Sequence, residues 1–174
     1  MTQKIMPTHR EIVMRDDDFI VTKTDKTGKL TYCNPIFIEF SGFSESELLG
    51  QQHNIIRHPD MPRAVFHLLW ETVKSGRDFF GYVKNISKDG SFYWVYATVT
   101  PSYSPENNNE IIGFFSVRRK PDSRKLAVIQ TLYNDMLIAE KSRDRHDAIA
   151  AGMHILDRAI TETGKSYHEF ILTL

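Results

Sequence analysis

The sequence predicts an α+β fold, in which a five-stranded antiparallel sheet carries short helices on one face and is followed by amphipathic C-terminal helices. Two β-branched runs joined by a glycine turn precede several short helical patterns, and three longer β-type runs follow them. After residue 122 the apolar residues recur every three or four positions, which indicates helices. This order of elements is typical of helices packed on one face of an antiparallel sheet.

The first two strands are predicted over Phe19–Thr24 and Lys29–Cys33. Both segments contain β-branched residues, and the polar segment Asp25–Gly28 between them ends in glycine. Asp and Gly are frequent turn residues because the Asp side chain forms hydrogen bonds with nearby backbone groups and Gly can adopt a positive φ without strain. The two strands are therefore expected to form a hairpin.

Two short helices follow this hairpin. Asn34 can accept from free backbone N–H groups at a helix start, and Pro35 is tolerated in a first turn, so a helix is predicted from Asn34-Pro35 to Gly42. Ser44 and Glu47 form a capping box, which predicts a second helix that ends at Gly50. Residues 51–60 show no regular period.

A longer helix is predicted from Asp60, as its N-cap, to Gly76. Phe66 and Trp70 lie four positions apart on a second face of this helix. The helix is then either packed on both sides or has a second face that lines a pocket. Its main apolar stripe is Met61, Ala64, Val65, Leu68, Leu69 and Val73.

Three strands are predicted next, over Phe79–Ile86, Phe92–Tyr103 and Glu110–Arg119. Lys88-Asp89-Gly90 is a hairpin signal between the first two. The C-terminal helices then show two apolar stripes and a last capping box at Ser166 and Glu169. The first stripe is Leu126, Ile129, Tyr133 and Met136, with Glu140 at the next position of the same spacing, and the second is Ile149, Met153, Leu156 and Ile160. Short helices of this kind are expected to pack on one another, on the sheet or on a partner chain.

The predicted organisation is an N-terminal cap over 1–17, a central domain over 18–120 and a helical extension over 121–174. Lys plus Arg and Asp plus Glu each number 22 among 174 residues, and this zero net charge argues against binding to nucleic acid or anionic lipid. Cys33 is the only cysteine, so no internal disulfide is possible and a reducing cytosol is the simplest location. No apolar run reaches the roughly 18 residues of a membrane span, and no signal peptide or catalytic motif is present.

The segment His53–Pro62, which reads HNIIRHPDMP, resembles the hallmark of the flavin-binding PAS domain of bacterial aerotaxis receptors. The layout over residues 10–120 also resembles a PAS domain. Supporting motifs are Tyr32-Cys33-Asn34, Ser41-Gly42-Phe43, Glu47-Leu48-x-Gly50, Val83-Lys84-Asn85, Asp89-Gly90-x-x-Tyr93-Trp94-Val95 and Gly113-x-x-Ser116-Val117-Arg118.

The resemblance implies a cytoplasmic sensor of redox or energy state that binds FAD without a covalent bond. Aerotaxis receptors carry a membrane anchor and a signalling coiled coil, and neither is recognisable in this sequence. The chain is therefore more similar to the stand-alone PAS partner of bipartite energy-taxis receptors, of the CetB type. The implied partner is a membrane-anchored methyl-accepting chemotaxis transducer in trans, which could recruit the protein to the inner membrane face, with homodimerisation as a further option.

The cofactor-binding residues predicted from the motifs and the resemblance are Arg57, His58, Asp60, Asn34, Asn85, Phe66, Trp70, Phe79, Tyr93, His53 and Asn54. Arg57, or His58 in its charged form, could hold a phosphate or the polar edge of a flavin. The Asn85 amide offers donors and an acceptor to such an edge, and the aromatic residues offer surfaces for stacking. Two alternatives stay open: Arg57 could pair with Asp60 and only fix the loop, and Asn34 could act only as a helix cap.

Two other functions remain as alternatives. The domain could be an interaction module without a cofactor, or a haem-binding gas sensor that uses His53, His58 or His67. No metal site is expected, because the spacing of His53, His58 and Asp60 fits no standard zinc site. Flavin–cysteine photochemistry is not expected either, since Cys33 ends a strand instead of lying on the helix beside the ring, and it is interpreted as a small buried residue.

Overall fold

Five antiparallel strands form one sheet in the order β2-β1-β5-β4-β3, in a computed structural model that describes residues 5–107, 109–141 and 143–174. This confirms the predicted fold class. The strands are β1 (Ile20–Asp25), β2 (Leu30–Cys33), β3 (Phe79–Ile86), β4 (Phe92–Tyr103) and β5 (Ile111–Arg119). The α-helices are α1 (Pro35–Ser41), α2 (Glu45–Leu48), α3 (Arg63–Lys74), α4 (Ser123–Glu140), α5 (Arg145–Thr161) and α6 (Tyr167–Thr173). A 3-10 helix covers His53–Ile56.

The N-caps of the first two helices and the C-cap of α1 are those predicted from the sequence, whereas α2 ends at Leu48 with Leu49 as its C-cap and not at Gly50. The Asn34 side chain accepts from the backbone N–H of Phe37, and Gly42 ends α1 at a φ of 70°. A side chain would be strained at that φ, so glycine suits the position. Ser44 and Glu47 form the complete capping box of α2.

The start of α3 differs from the prediction. The helix begins at Arg63, Pro62 occupies the N-cap position without a side-chain hydrogen bond, and the predicted N-cap role of Asp60 is wrong. The Asp60 carboxylate instead lies 3.1 Å from the Lys84 ammonium on β3. Two of the free N–H groups of α3 are satisfied from elsewhere in the chain, since Glu140 accepts from the backbone N–H of Arg63 and of Ala64.

The N-terminal segment lies beside the hairpin between β3 and β4. The backbone N–H of Thr8 donates to the Gly90 carbonyl, and Arg10 and Ile12 bond to the two backbone groups of Phe92. The side chain of Met14 is buried. Residues 1–4 of the predicted cap lie outside the described residues.

The C-terminal helices pack on one another and on the central domain. Helix α5 contacts both α4 and α3, and α6 contacts β3, the edge strand. The hydroxyls of Tyr133 and Tyr167 donate to the carbonyl oxygens of Tyr82 and Phe80 on this edge, each at 2.9 Å. These bonds satisfy carbonyl groups that an uncovered edge strand would leave free. Across the described ranges, no helix combines the length and apolar character that a bilayer crossing requires.

Candidate functional site

A cavity lies between one face of the sheet and the helical layer formed by α3 and the 3-10 helix. Its empty volume is about 720 Å³, including the part that opens to solvent. The α3 side is apolar and aromatic, and Trp70 meets Phe114 of β5 edge to face at 5.4 Å. The lining residues are Thr22, Thr24, His53, Asn54, Ile56, Arg57, Phe66, Leu69, Trp70, Val83, Asn85, Ala97, Val99, Phe114, Ser116 and Arg118.

Four polar atoms on the sheet side of this cavity are buried and have no hydrogen-bond partner among the described residues. They are Thr24 Oγ1, Asn85 Nδ2, Ser116 Oγ and Arg118 Nη1. Leaving a buried donor or acceptor unpaired costs about 1–3 kcal/mol, and more when the group is charged. Their convergence on one cavity is the arrangement expected of a site whose ligand supplies the missing partners.

Arg118 is the central charge of the site. It is 5% exposed and lies on β5, and its Nη2 donates to Thr22 Oγ1 at 3.1 Å and to His53 Nε2 at 2.6 Å. Burial lowers its pKa to about 10, which still leaves the guanidinium protonated at neutral pH. No carboxylate within the described ranges forms an ion pair with it. The cavity therefore holds a buried cation with a free donor, which suits a ligand with an anionic or strongly accepting edge.

His53 is a neutral neighbour of this cation. Because a guanidinium only donates, the His53 Nε2 must accept, and the ring proton lies on Nδ1. Burial and then the charge of Arg118 hold the pKa of His53 well below its ordinary value. The ring also stacks on Phe37 of α1, with 5.9 Å between ring centres. The pair thus joins the 3-10 segment to β5 across the cavity.

Six of the predicted site residues line the cavity. They are His53, Asn54, Arg57, Phe66, Trp70 and Asn85. The Arg57 guanidinium lies 4.1 Å from the ring centre of Phe66, and its Nη2 donates to the Met61 carbonyl at 3.4 Å. Burial lowers the pKa of Arg57, and the nearby Glu140 charge opposes that shift. Among the described ion pairs, Asp60 pairs with Lys84 and not with Arg57.

Two of the other predicted residues, Asn34 and His58, lie outside the cavity lining and have local partners. Asn34 Oδ1 accepts from the backbone N–H groups of Val21 and Phe37, and its Nδ2 donates to the Phe19 carbonyl. His58 is 1% exposed, and its Nδ1 accepts from the Asp60 N–H at 3.0 Å.

The structure does not provide the charged form of His58 that was predicted. Burial, followed by the charge of Lys84, lowers the pKa of His58 to about 4, and the opposing charge of Asp60 does not offset this. The imidazole is therefore neutral at pH 7. Asp60 itself has a side chain that is 63% exposed.

Phe79 and Tyr93 also lie outside the cavity lining. Phe79 stacks on Tyr167 of α6 with 5.8 Å between ring centres, and Tyr93 meets Phe40 of α1 edge to face at 5.3 Å. The Tyr93 hydroxyl is buried and has no hydrogen-bond partner in the described part of the chain, and burial raises its pKa. Both residues belong to the core that supports the site.

Sequence reasoning assigned no role to Thr22, Thr24, Ser116 or Arg118. Ser116 and Arg118 stand in a motif that carried the resemblance, and one signal could have identified them. In β5 the even-numbered positions alternate with Phe115 and Val117, so Ser116 and Arg118 share one face of the strand. Polar residues on the face toward the core indicate a binding site when no partner is evident.

A second, open groove adjoins the cavity and shares Asn54 and Arg57 with it. Its empty volume is about 1890 Å³, including open solvent, and Ile5 and Met6 of the N-terminal segment contribute to its wall. A long ligand could therefore extend from the cavity past Arg57 into this groove. Within the described ranges, no three His, Cys, Asp or Glu side chains are grouped to hold a metal ion.

Comparison with known proteins agrees with this architecture. A family model described as "PAS fold" matches residues 30–115. Over 142 residues the chain is 34% identical to the aerotaxis receptor of Escherichia coli strain K12. This match covers 82% of the present chain and 28% of the receptor. The five-stranded domain has the PAS fold. The chain spans little more than a quarter of that receptor, so the match concerns the PAS domain and the residues around it.

Two solved structures share the fold at low identity. The light-state structure of the blue-light photoreceptor Aureochrome1 LOV matches with a TM-score of 0.57 and 17% identity, covering 68% of this chain and 92% of that chain. A light-oxygen-voltage domain studied with a flavin analogue matches with a TM-score of 0.55 and 19% identity, covering 67% and 87%. At these identities the likeness concerns the fold of the PAS domain alone.

Proposed function

We propose that this PAS domain binds FAD noncovalently in the cavity and serves as a cytoplasmic redox sensor that signals in trans to a membrane-anchored methyl-accepting chemotaxis transducer. The observation that carries the proposal is the environment of Arg118. Its guanidinium is buried in an aromatic-lined cavity, and among the described residues it has no carboxylate partner and its Nη1 has no hydrogen-bond partner. Among the structures that share the fold, a light-oxygen-voltage domain was studied with a flavin analogue, and we extend this class of ligand to the present cavity.

The residues of the cavity fit a flavin. A flavin has flat apolar faces and one edge of alternating donors and acceptors, and it supplies reversible electron transfer when bound. Phe66 and Trp70 offer surfaces for the faces, while the amide of Asn85 and the hydroxyl of Ser116 offer partners for the edge. Arg118 would stabilise the negative charge that the ligand gains on reduction and thereby raise its potential.

Arg57 and the open groove favour the dinucleotide over the mononucleotide. Arg57 stands where the cavity meets the groove, and a guanidinium binds phosphate oxygens in pairs. A diphosphate beside Arg57 would leave the groove to the adenosine. FMN would end at Arg57 and leave this second volume unused.

A change in ligand charge would act first on Arg118 and its partners. Stronger bonding of Arg118 to the ligand would compete with its bonds to Thr22 and His53, which belong to different elements of the fold. This becomes a signal only if the partner prefers one of the two states. The proposal of a chemotaxis transducer rests on the similarity to the aerotaxis receptor.

The two alternatives have weaker support. A haem would need an axial histidine, but the Nε2 of His53 already accepts from Arg118, His58 lies outside the cavity lining and His67 is exposed on α3. A domain without any ligand would leave four buried polar atoms of one cavity without a hydrogen-bond partner among the described residues. Cys33 lies outside the cavity lining and burial raises its thiol pKa, so it does not favour adduct chemistry.

One absorbance spectrum of the purified full chain tests these functions. We expect a yellow protein that releases FAD on denaturation. A colourless protein that takes up no FAD on reconstitution would contradict the proposal, and a Soret band would indicate haem. The partner is tested by titrating the cytoplasmic part of a chemotaxis transducer with oxidised and reduced protein, and equal affinity in both states would exclude redox signalling by this route.

A further inference from the structure

Helix α3, which forms one wall of the cavity, is capped by a residue from the C-terminal helices. Glu140, the last residue of α4, accepts from the backbone N–H of Arg63 at 2.8 Å through Oε2 and from that of Ala64 at 3.0 Å through Oε1. The residue is only 8% exposed. A carboxylate is favoured here because the free N–H groups of a helix N-terminus carry partial positive charge.

Helix α5 packs against this contact through Gly152. A Cβ atom added to Gly152 would lie 2.8 Å from the Cβ of Ala64 and still closer to Oε1 of Glu140. Any side chain at this position would therefore press on both groups. Three helices meet at one point, and the glycine allows α5 to approach α3 and the capping carboxylate together.

The same carboxylate acts on the ligand-facing part of the site. Its negative charge favours the protonated form of Arg57, against the effect of burial. Arg57 packs on the ring of Phe66, a cavity residue of α3, and donates to the carbonyl of Met61, just before the helix. Removal of Glu140 would leave two N–H groups unpaired and would take away a charge that supports Arg57.

We propose that Glu140 is a positioning residue of the cavity, which holds α3 and Arg57 in their binding arrangement and thereby couples ligand binding to the docking of α4 and α5. The proposal rests on the proposed function for the identity of the ligand, FAD. Coupling of this kind is reciprocal, because two binding equilibria that share a free energy change each other by the same factor. Docked helices would strengthen FAD binding, and bound FAD would strengthen docking.

The test compares Glu140→Gln with Asp135→Asn in the full chain. Both variants remove one negative charge from α4, but Asp135 is exposed. FAD affinity is measured by fluorescence titration, and amide hydrogen exchange of α4 and α5 is measured with and without FAD. We expect FAD to slow exchange in α4 and α5 of the wild type. Glu140→Gln should weaken FAD binding about tenfold and abolish that slowing, while Asp135→Asn changes neither.

Gly152→Ala is a second variant that keeps the charge of Glu140 and disturbs only the contact. Like Glu140→Gln, it should weaken FAD binding and reduce the slowing of amide hydrogen exchange by FAD in α4 and α5. It also keeps the test decisive if Glu140→Gln fails to fold. Two results would overturn this proposal and leave the proposed function intact. The wild type could bind FAD without slower exchange in α4 and α5, or both variants could bind FAD with unchanged affinity. A wild-type protein that binds no FAD would overturn both.

Discussion

The Nε2 of His53 accepts a hydrogen bond of 2.6 Å from the guanidinium of Arg118, which lies 65 positions later in the chain. This bond fixes the tautomer of the histidine. The other terminal nitrogen of Arg118 has no hydrogen-bond partner among the residues that the structure describes. A buried cation of this kind is costly unless a ligand satisfies it. We therefore expect that Arg118 lowers the stability of the ligand-free protein and raises its affinity for the ligand.

Arg118→Gln tests both expected effects of Arg118. The change removes the buried charge, so we expect the dissociation constant of FAD to rise about 10- to 100-fold. The unfolding free energy of the ligand-free protein should stay within about 1 kcal/mol of wild type or increase. Flavin titration and denaturant unfolding measure the two quantities. Arg119→Gln is the control, since Arg119 is the exposed neighbour in β5. A large loss of stability with unchanged affinity would show that Arg118 has only a structural role.

Asn34→Ala distinguishes a helix cap from a cofactor contact. Its side chain accepts from Phe37 N–H and Val21 N–H, so its loss should lower the unfolding free energy by about 1–2 kcal/mol. FAD affinity should stay within about twofold of wild type, because the residue lies outside the cavity lining. Asn134→Ala, at an exposed position of α4, controls for the loss of an amide. A strong loss of affinity in a stable Asn34→Ala protein would restore the predicted cofactor contact.

Tyr133→Phe tests how the C-terminal helices cover the edge of the sheet. The variant leaves the carbonyl of Tyr82 without its 2.9 Å partner in a buried place, so we expect a loss of about 1–2 kcal/mol in unfolding free energy. Tyr103→Phe removes an exposed hydroxyl with a longer bond to Gly76 and should cost less than about 0.5 kcal/mol. Equal effects of the two changes on denaturant unfolding would show that the edge contact has no special weight.

His58 should make the domain sensitive to acid. Its pKa is lowered from the ordinary 6.5 to about 4 in the folded protein, so the unfolded chain binds more protons between these pH values. The unfolding free energy should therefore fall by about 3 kcal/mol from this group as the pH decreases from 6.5 to 4. His53 adds a loss of the same sign, because its pKa is also lowered.

His58→Asn isolates this contribution, since the Asn oxygen can replace Nδ1 as the acceptor of the Asp60 N–H. The variant should show a shallower loss of stability between pH 6.5 and pH 5. His146→Asn, at a side chain that is 96% exposed, should keep the wild-type profile. Denaturant unfolding across this pH range gives both slopes. Identical slopes for wild type and His58→Asn would contradict the assignment.

Local sequence signals were sufficient for most of the secondary structure. The cap at Asn34, the capping boxes at Ser44 and Ser166 and the strands around Gly90 depend on residues within a few positions of one another. Such interactions are encoded by spacing alone. The N-cap prediction at Asp60 failed because a distant residue, Glu140, takes the place that a local side chain would fill.

The sequence by itself determined the order of the elements and the antiparallel hairpins, and the segment His53–Pro62 that it singled out contributes residues to the wall of the cavity. Only the tertiary structure decided which of these side chains share a cavity. It placed Arg118 beside His53, left Asn34 and His58 outside the lining and brought Glu140 to the start of α3. The physical reason is that strand register and helix docking set these neighbours over long separations, and hydrophobic periodicity specifies which face is buried but not which distant residue meets it.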